Sequence, residues 1–310
     1  MRRKWIAPSA AIARIADRLG RALAAPAVAY EPFVVADHVV GWVTPERAQR
    51  LTHWPQFFRR RDRALELAPS VDTPQARTEV IAAVARSLAA EGALSAWRDE
   101  RYAVAPSPGE EALFELERAA ARYFGIHTFA AHANGLTGDE DGWQMWLARR
   151  SPVKAIDPGL LDNLVGGGVA AGSDAAATLV KEAWEEAGLA KPLSRRAQCA
   201  GSVDICRATS DGLQCETICV YDLWLPADFA PANQDGEAVE HRLVTLSEAA
   251  RLIANDRGPD VVTADASLVI LDFLLRHGAV DPDTPTYRAL DALRCPSLEL
   301  SMLDTERGSA

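Results

Sequence analysis

Basic side chains are in deficit in this sequence: 33 Lys and Arg stand against 43 Asp and Glu, for a formal net charge of −10. Sequence-independent binding of nucleic acid rests on Lys and Arg neutralising phosphates, so the balance runs against that class of partner. Phosphates can still be held locally, by a metal ion or a few basic side chains. Cysteine is sparse and odd in number. Cys199, Cys206, Cys215, Cys219 and Cys295 form no Cys-x-x-Cys pair, and none lies near a His at zinc-finger spacing, which argues against a structural zinc site and a disulfide framework. They read as reduced thiols of a cytoplasmic protein. No apolar run approaches the ~20 residues that a membrane-spanning helix needs. The basic, Ala-rich start MRRKWIAPSAAIARIADRLGRALAAP lacks the continuous apolar stretch of a signal peptide. Ile12, Ile15, Leu19 and Leu23 recur there at helical spacing, so an amphipathic first helix is expected.

What is present fits a soluble globular chain: 48% hydrophobic and 25% charged residues over 310 positions, enough for two domains with real cores. YEPFVVADHVVGWVTPE reads as a hairpin turning at Ala36-Asp37, and Pro45 opens a short helix. Val80, Ile81, Val84 and Leu88 mark a longer helix over 74–91. SAWRDERYAVAP reads as a strand. SPGEEALFELERAAARYFGI, with a cap-like Ser107 and Leu113, Leu116 and Ala120 on one stripe, reads as a helix. From residue 126 strand-like runs dominate: HTFAAHANGLT and GWQMWLARRS around an acidic turn, then AQCAGSVDICRAT and CETICVYDLWLP around SDGLQ. HRLVTLSEAARLIA passes from strand to helix, and VVTADASLVILDFLLRHG is a helix closed by Gly278. The expected organisation is an α+β module over 1–124, an α/β domain with a mixed sheet between helices over 125–282, and a polar tail over 283–310.

The chemistry concentrates in LVGGGVAAGSDAAATLVKEAWEEAGLA. On a helix, Glu182, Glu185 and Glu186 fall at i, i+3 and i+4, so their carboxylates share one side and repel each other. Hard divalent cations prefer such oxygen ligands, completed by substrate phosphates. Gly166, Gly167 and Gly168 form a loop that lets the backbone approach a ligand and offers carbonyl ligands. Ala175, Leu179, Ala183 and Ala187 give the helix an apolar stripe to set against the sheet. Taken alone, KEAWEEAG is read more simply as a solvated glutamate-rich helix face; the longer spacing decides otherwise.

The longer spacing resembles the box of the Nudix hydrolase superfamily, G-x5-E-x7-R-E-U-x-E-E-x-G-U. Gly167, Glu182, Ala183, Glu185, Glu186, Gly188 and Leu189 fall in place, whereas Ser173 stands for the first Glu and Lys181 for the Arg. Longer stretches, among them EPFVVADHVVGWVTPERAQRL and YDLWLPADFAPANQDGEAVEHRLVTLSEA, are similar to the Nudix part fused to fungal thiamine pyrophosphokinase and to plant plastid Nudix proteins. The resemblance implies a Nudix-type α/β/α sandwich with a mixed sheet, preceded by a smaller α+β domain. It implies a small-molecule diphosphate substrate, cleaved to a monophosphate, with oxidised thiamine diphosphate derivatives as the substrate class. It also implies Mg²⁺ or Mn²⁺ on Glu182, Glu185, Glu186 and the Gly167 carbonyl.

With Ser173 unable to act as a base, Glu182 or a loop acid takes that role, and Glu237 is preferred over Asp235 and Glu240 of NQDGEAVE. Arg149, Arg150 and Lys154 are candidate phosphate contacts, with Gly168 beside them; a basic surface turn is the plain alternative. His127 and His132 read as hydrogen-bonded core residues, and Trp143, Trp146 and Trp224 as packing aromatics. Asn134, Asp162 and Asn163 are further pocket candidates. Two rival functions are a non-catalytic nucleotide- or cofactor-binding module and an isomerase that preserves its diphosphate, for which the cysteines do not match. No nucleic acid or membrane partner is expected, and the reading leaves room for a homodimer.

Overall fold

The structure, a computed structural model, describes residues 9–24, 28–107, 109–138 and 142–295. The acidic turn at 139–141 and the end of the tail, 296–310, lie outside the described residues. Helix α1 (Ser9–Ala22) comes first, followed by a four-stranded sheet of β1 (Glu31–Val35), β2 (His38–Val43), β3 (Phe58–Arg61) and β4 (Ala64–Leu67) in the order β2-β1-β4-β3. Ala36 and Asp37 carry positive φ of 49° and 66°, the conformation a two-residue hairpin demands. Thr44 caps α2 (Pro45–Leu51) and Thr73 caps α3 (Pro74–Ala90), each with Pro in the first turn. Phe33, Phe58, Phe124, Ile81 and Leu88 are among the large, fully buried side chains of the core beneath this sheet.

Sequence periodicity fails between 107 and 126. Instead of a helix, β5 (Arg101–Val104) pairs antiparallel with β6 (Phe114–Glu117), and only a 3₁₀ turn at Arg118–Ala120 follows. FELE is short enough to obey either period, and its alternation buries Phe114 and Leu116 against the core while strand pairing absorbs the backbone polar groups.

The second sheet has seven strands. β7 (His127–Thr137) and β8 (Gln144–Arg150) form its middle; β9 (Leu161–Asn163) pairs with β8, and β10 (Val165–Gly168) with β7. Helices α4 (Ala175–Ala187) and α5 (Lys191–Ser194) lead to the long hairpin β11 (Gln198–Thr209) and β12 (Gly212–Trp224). The path order is β11-β12-β7-β8-β13, with β13 (Ala238–Thr245) at the edge and β12 parallel to β7. The glycine cluster is thus a strand rather than a loop, with Gly166, Gly167 and Gly168 in register with His132, Ala131 and Ala130.

Helices cover both faces, an α/β/α sandwich. On one face α6 (Leu246–Leu252), α7 (Ala264–Arg276) and α8 (Pro285–Asp291) pack with α1; although α1 comes first in the chain, its Ile12, Ile15 and Leu19 are buried in this second core. Helix α7 is buried nearly all round, so its sequence reads apolar beyond a single stripe. On the other face α4 sets Leu179, Ala183 and Ala187 against Ala131, Ala133 and Val165.

Candidate active site

Helix α4 is fixed at both ends. Asp174 accepts the Ala177 N–H at 2.7 Å, and Gly188, at φ 65°, turns the chain so that the Leu189 N–H reaches the Ala183 carbonyl at 3.0 Å. With the apolar stripe locked on the sheet, Glu182 and Glu186 project along the flank that meets β10, and Glu185 lies beside Lys181. Glu186 is buried, and its Oε2 accepts the Gly166 N–H at 2.8 Å. Glu182 lies against Gly167 so closely that a Cβ there would stand 2.5 Å from its Cγ and Cδ. A Cβ at Gly168 would stand 2.1 Å from the Tyr102 hydroxyl, and one at Gly166 2.8 Å from the His132 ring. The three glycines therefore make room for protein groups, Glu182 among them.

The carboxylates are electrostatically uneasy. Burial pushes Glu182 up from its ordinary pKa, an effect partly offset by Lys181, and pushes Glu186 up further, against the pull of Lys154 and the Gly166 N–H. Lys181 donates to Glu185 at 2.6 Å and to Glu182 at 3.1 Å. Burial opposes its charge, yet these two bonds hold its pKa above the usual lysine value. Ser173 stands apart, 3.1 Å from the Thr178 hydroxyl.

Beside the glycine strand opens a cavity of about 150 Å³. Gly166, Gly167, Gly168, Arg150, Lys154 and Glu237 line one side, and Arg98, Tyr102, Arg118 and Arg122 of the N-terminal module line another. Its far end holds Thr128, Gln214, Glu216 and Asp265. Glu216 accepts from Thr128 at 3.0 Å, and burial and the neighbouring Asp265 raise its pKa. Among the described residues Asp265 Oδ1 makes no hydrogen bond, with Arg207 3.9 Å away.

Residues 128–264 match the NUDIX domain, and residues 14–128 match a domain of unknown function (DUF4743). The chain is 39% identical over 264 residues to Nudix hydrolase 24, chloroplastic, of Arabidopsis thaliana, covering 83% of this chain and 70% of that protein. The chain belongs to the Nudix hydrolase family. Nudix hydrolase 20, chloroplastic, of the same plant is 34% identical with the same coverage. A solved MutT protein from Methanosarcina mazei Go1 matches 47% of this chain and 92% of its own at 19% identity, with a TM-score of 0.37. Nudix hydrolases act on small molecules built on a nucleoside diphosphate linkage and generally use divalent metal ions such as Mg²⁺. Among the described residues no helix is long and apolar enough to cross a membrane.

The donor chemistry of this Nudix helix, carboxylate oxygens packed against the glycine strand, fits a hard cation. Among the described residues no three Asp, Glu, His or Cys side chains yet surround a common point. Lys181 draws Glu182 and Glu185 to itself, and the Gly166 N–H holds Glu186. The Lys181 ammonium thus occupies the cationic position between two of the three acids.

Of the residues expected from sequence, Arg150, Lys154, Glu237, Gly167 and Gly168 meet at the cavity. Arg149 is not among its lining residues; it donates to Glu240 at 2.5 Å, Asp260 at 2.6 Å and the carbonyls of Gly159 and Pro259. Glu237 is ion-paired with Lys154 and, at 3.3 Å, with Arg98. Partial burial pushes its pKa up, but the Lys154 hydrogen bond and the charges of Lys154, Arg98 and Arg118 outweigh that and hold it below the usual range. The loop bearing Glu237 is tied to α4, with Gln234 N–H on the Glu185 carbonyl at 2.7 Å, while Asp235 accepts the Glu237 N–H at 2.8 Å. His132 Nδ1 donates to the Asn163 side-chain oxygen at 2.9 Å, Asn163 donates to Asn134 at 3.4 Å, and Asn134 donates to Asp222 at 3.0 Å, so these form a buried network. Sequence reading missed Arg98, Tyr102, Arg118 and Arg122. RDERY and ERAAAR were the available signal, obscured once 107–126 was read as a helix.

Proposed function

We propose that this Nudix hydrolase cleaves the diphosphate linkage of a small organic diphosphate to a monophosphate, with thiamine diphosphate or its oxidised derivatives as the substrate class. The observation that carries the reading is the placement of Glu182 and Glu186 of α4 against a glycine strand whose backbone lines a cavity that also holds Arg98, Arg118, Arg122, Arg150 and Lys154. Glu182, Glu185, Glu186 and the Gly167 carbonyl would hold Mg²⁺ or Mn²⁺, which when bound neutralises charge on the diphosphate oxygens and acidifies a water. Glu182 would be the carboxylate placed to take a proton from that water. Glu237 is the weaker base, because its ion pairs with Lys154 and Arg98 hold its pKa low; it fixes Lys154 at the cavity.

The thiamine class comes from the family resemblance, and the cavity's polarity supports it. Thr128 and His132 lie four residues apart on β7, roughly 13 Å at strand rise. Acidic Glu216 and Asp265 stand at the Thr128 end, suited to a cationic organic group, and the glutamate helix serves the His132 end. Five free thiols support a reducing compartment such as the cytoplasm. Ser173 and the incomplete convergence of the acids favour one second reading, a module that binds its ligand without cleaving it. Incubation with Mg²⁺ and a panel of diphosphates, thiamine diphosphate and its oxidised forms included, separates the two by monophosphate release. Binding without turnover of any of them would sink the hydrolase reading.

A further inference from the structure

The cations from the end of β8 to the glycine strand have little donor capacity left for a substrate. Arg149 donates through Nε, Nη1 and Nη2 to Glu240, Asp260 and two carbonyls. Arg150 donates through the same three nitrogens to Asp162 and to the carbonyls of Ile156 and Asp157. Lys154 is paired with Glu237. The opposite wall differs. Arg118 directly follows β6, and its Nη1 donates to Glu100 at 2.6 Å. Its guanidinium carbon lies 5.8 Å from the Tyr102 ring centroid, and among the described residues its Nε and Nη2 make no hydrogen bond. Tyr102 is itself buried and abuts Gly168. Arg118 is thus held by a carboxylate and an aromatic ring, faces the cavity, and keeps unspent the paired N–H groups that match two phosphate oxygens.

We propose that Arg118 binds the phosphate oxygens of the substrate, which makes the N-terminal module a working wall of the active site. The identity of that anion as a substrate rests on the hydrolase reading; the anion site itself does not.

The test is calorimetric titration of the full chain with inorganic pyrophosphate, without metal, beside KM and kcat for whichever diphosphate turns over. Arg118→Ala is expected to weaken pyrophosphate binding roughly tenfold and to raise KM by a similar factor, with kcat less affected. Arg118→Lys, which keeps the charge but loses the paired donors, is expected to fall between, and it carries the test if the alanine variant does not fold. Arg59→Ala, which removes a cation paired with Glu66 on the exposed edge of the same module, is expected to behave as wild type. Wild-type pyrophosphate affinity in both Arg118 variants would overturn the proposal, as would failure of the wild type to bind pyrophosphate. Loss of binding in the variants with no organic diphosphate cleaved by the wild type would sustain Arg118 and sink the hydrolase reading. Turnover with unchanged KM in both variants would do the reverse.

Discussion

Arg149 and Arg150 end β8, and Arg98 and Arg118 flank the β5–β6 pair. The first two have side chains 19% and 17% exposed, with Nε, Nη1 and Nη2 all donating to fixed acceptors. The second two are 41% and 39% exposed, each held through one nitrogen, Arg98 to Glu237 and Arg118 to Glu100. A guanidinium whose donors are all taken builds structure; one anchored at a single corner can also take a ligand. Availability of donors, rather than nearness in sequence to the glutamate helix, separates an arginine that shapes the site from one that reads the substrate.

The comparison can be pressed at several points. Glu186 belongs to the proposed metal site and to neither group of arginines, so Glu186→Gln should stop turnover while neither group moves: a loss of several kcal/mol of transition-state stabilisation, on the order of 10³-fold in kcat, measured as monophosphate release alongside an unchanged circular dichroism spectrum. Arg150→Ala should instead act on the fold. It leaves Asp162, 14% exposed, without its cation and strips two carbonyls of their donors, which costs about 3 kcal/mol in denaturant unfolding. A loss near zero would mean that Arg150 is as free as Arg118.

The glycine strand between the two walls allows a finer split. Gly168→Ala meets the buried Tyr102 ring, which cannot swing aside, so about 2 kcal/mol of stability should be lost. Gly167→Ala meets the flexible stem of Glu182, so activity should fall more than stability. The smallest effect concerns Glu237. Its pKa is held below the ordinary 4.5, so its ties to Lys154 and Arg98 add stability above that value and lose it as pH falls through the lower folded value. Glu237→Gln should therefore cost at most ~1 kcal/mol at pH 7 and progressively less as the pH falls below 4.5, read from unfolding curves across that range.

Much of this was legible in the chain. Caps and periodicity marked α3, α4 and the long β11–β12 hairpin, because those elements are long enough for one period to win. The i, i+3, i+4 glutamates carried their own geometry. The glycine cluster and 107–126 were misread for one reason: short segments take the conformation that strand partners impose, and β7 and β5 are remote from anything a local pattern displays. That error hid Arg118, which is beside Tyr102 only because β6 is a strand. The commitment of Arg149 was equally invisible, since Asp260 lies over a hundred positions away.

The most direct measurement compares monophosphate release from one organic diphosphate with Mg²⁺ by the wild type, Glu186→Gln and Arg118→Lys, at saturating and at limiting substrate. A carboxylate helix that does the chemistry and an N-terminal wall that holds the phosphate predict turnover by the wild type and none by Glu186→Gln at either concentration. They predict that Arg118→Lys is slowed chiefly when substrate is limiting. Wild-type rates in Glu186→Gln would contradict the account.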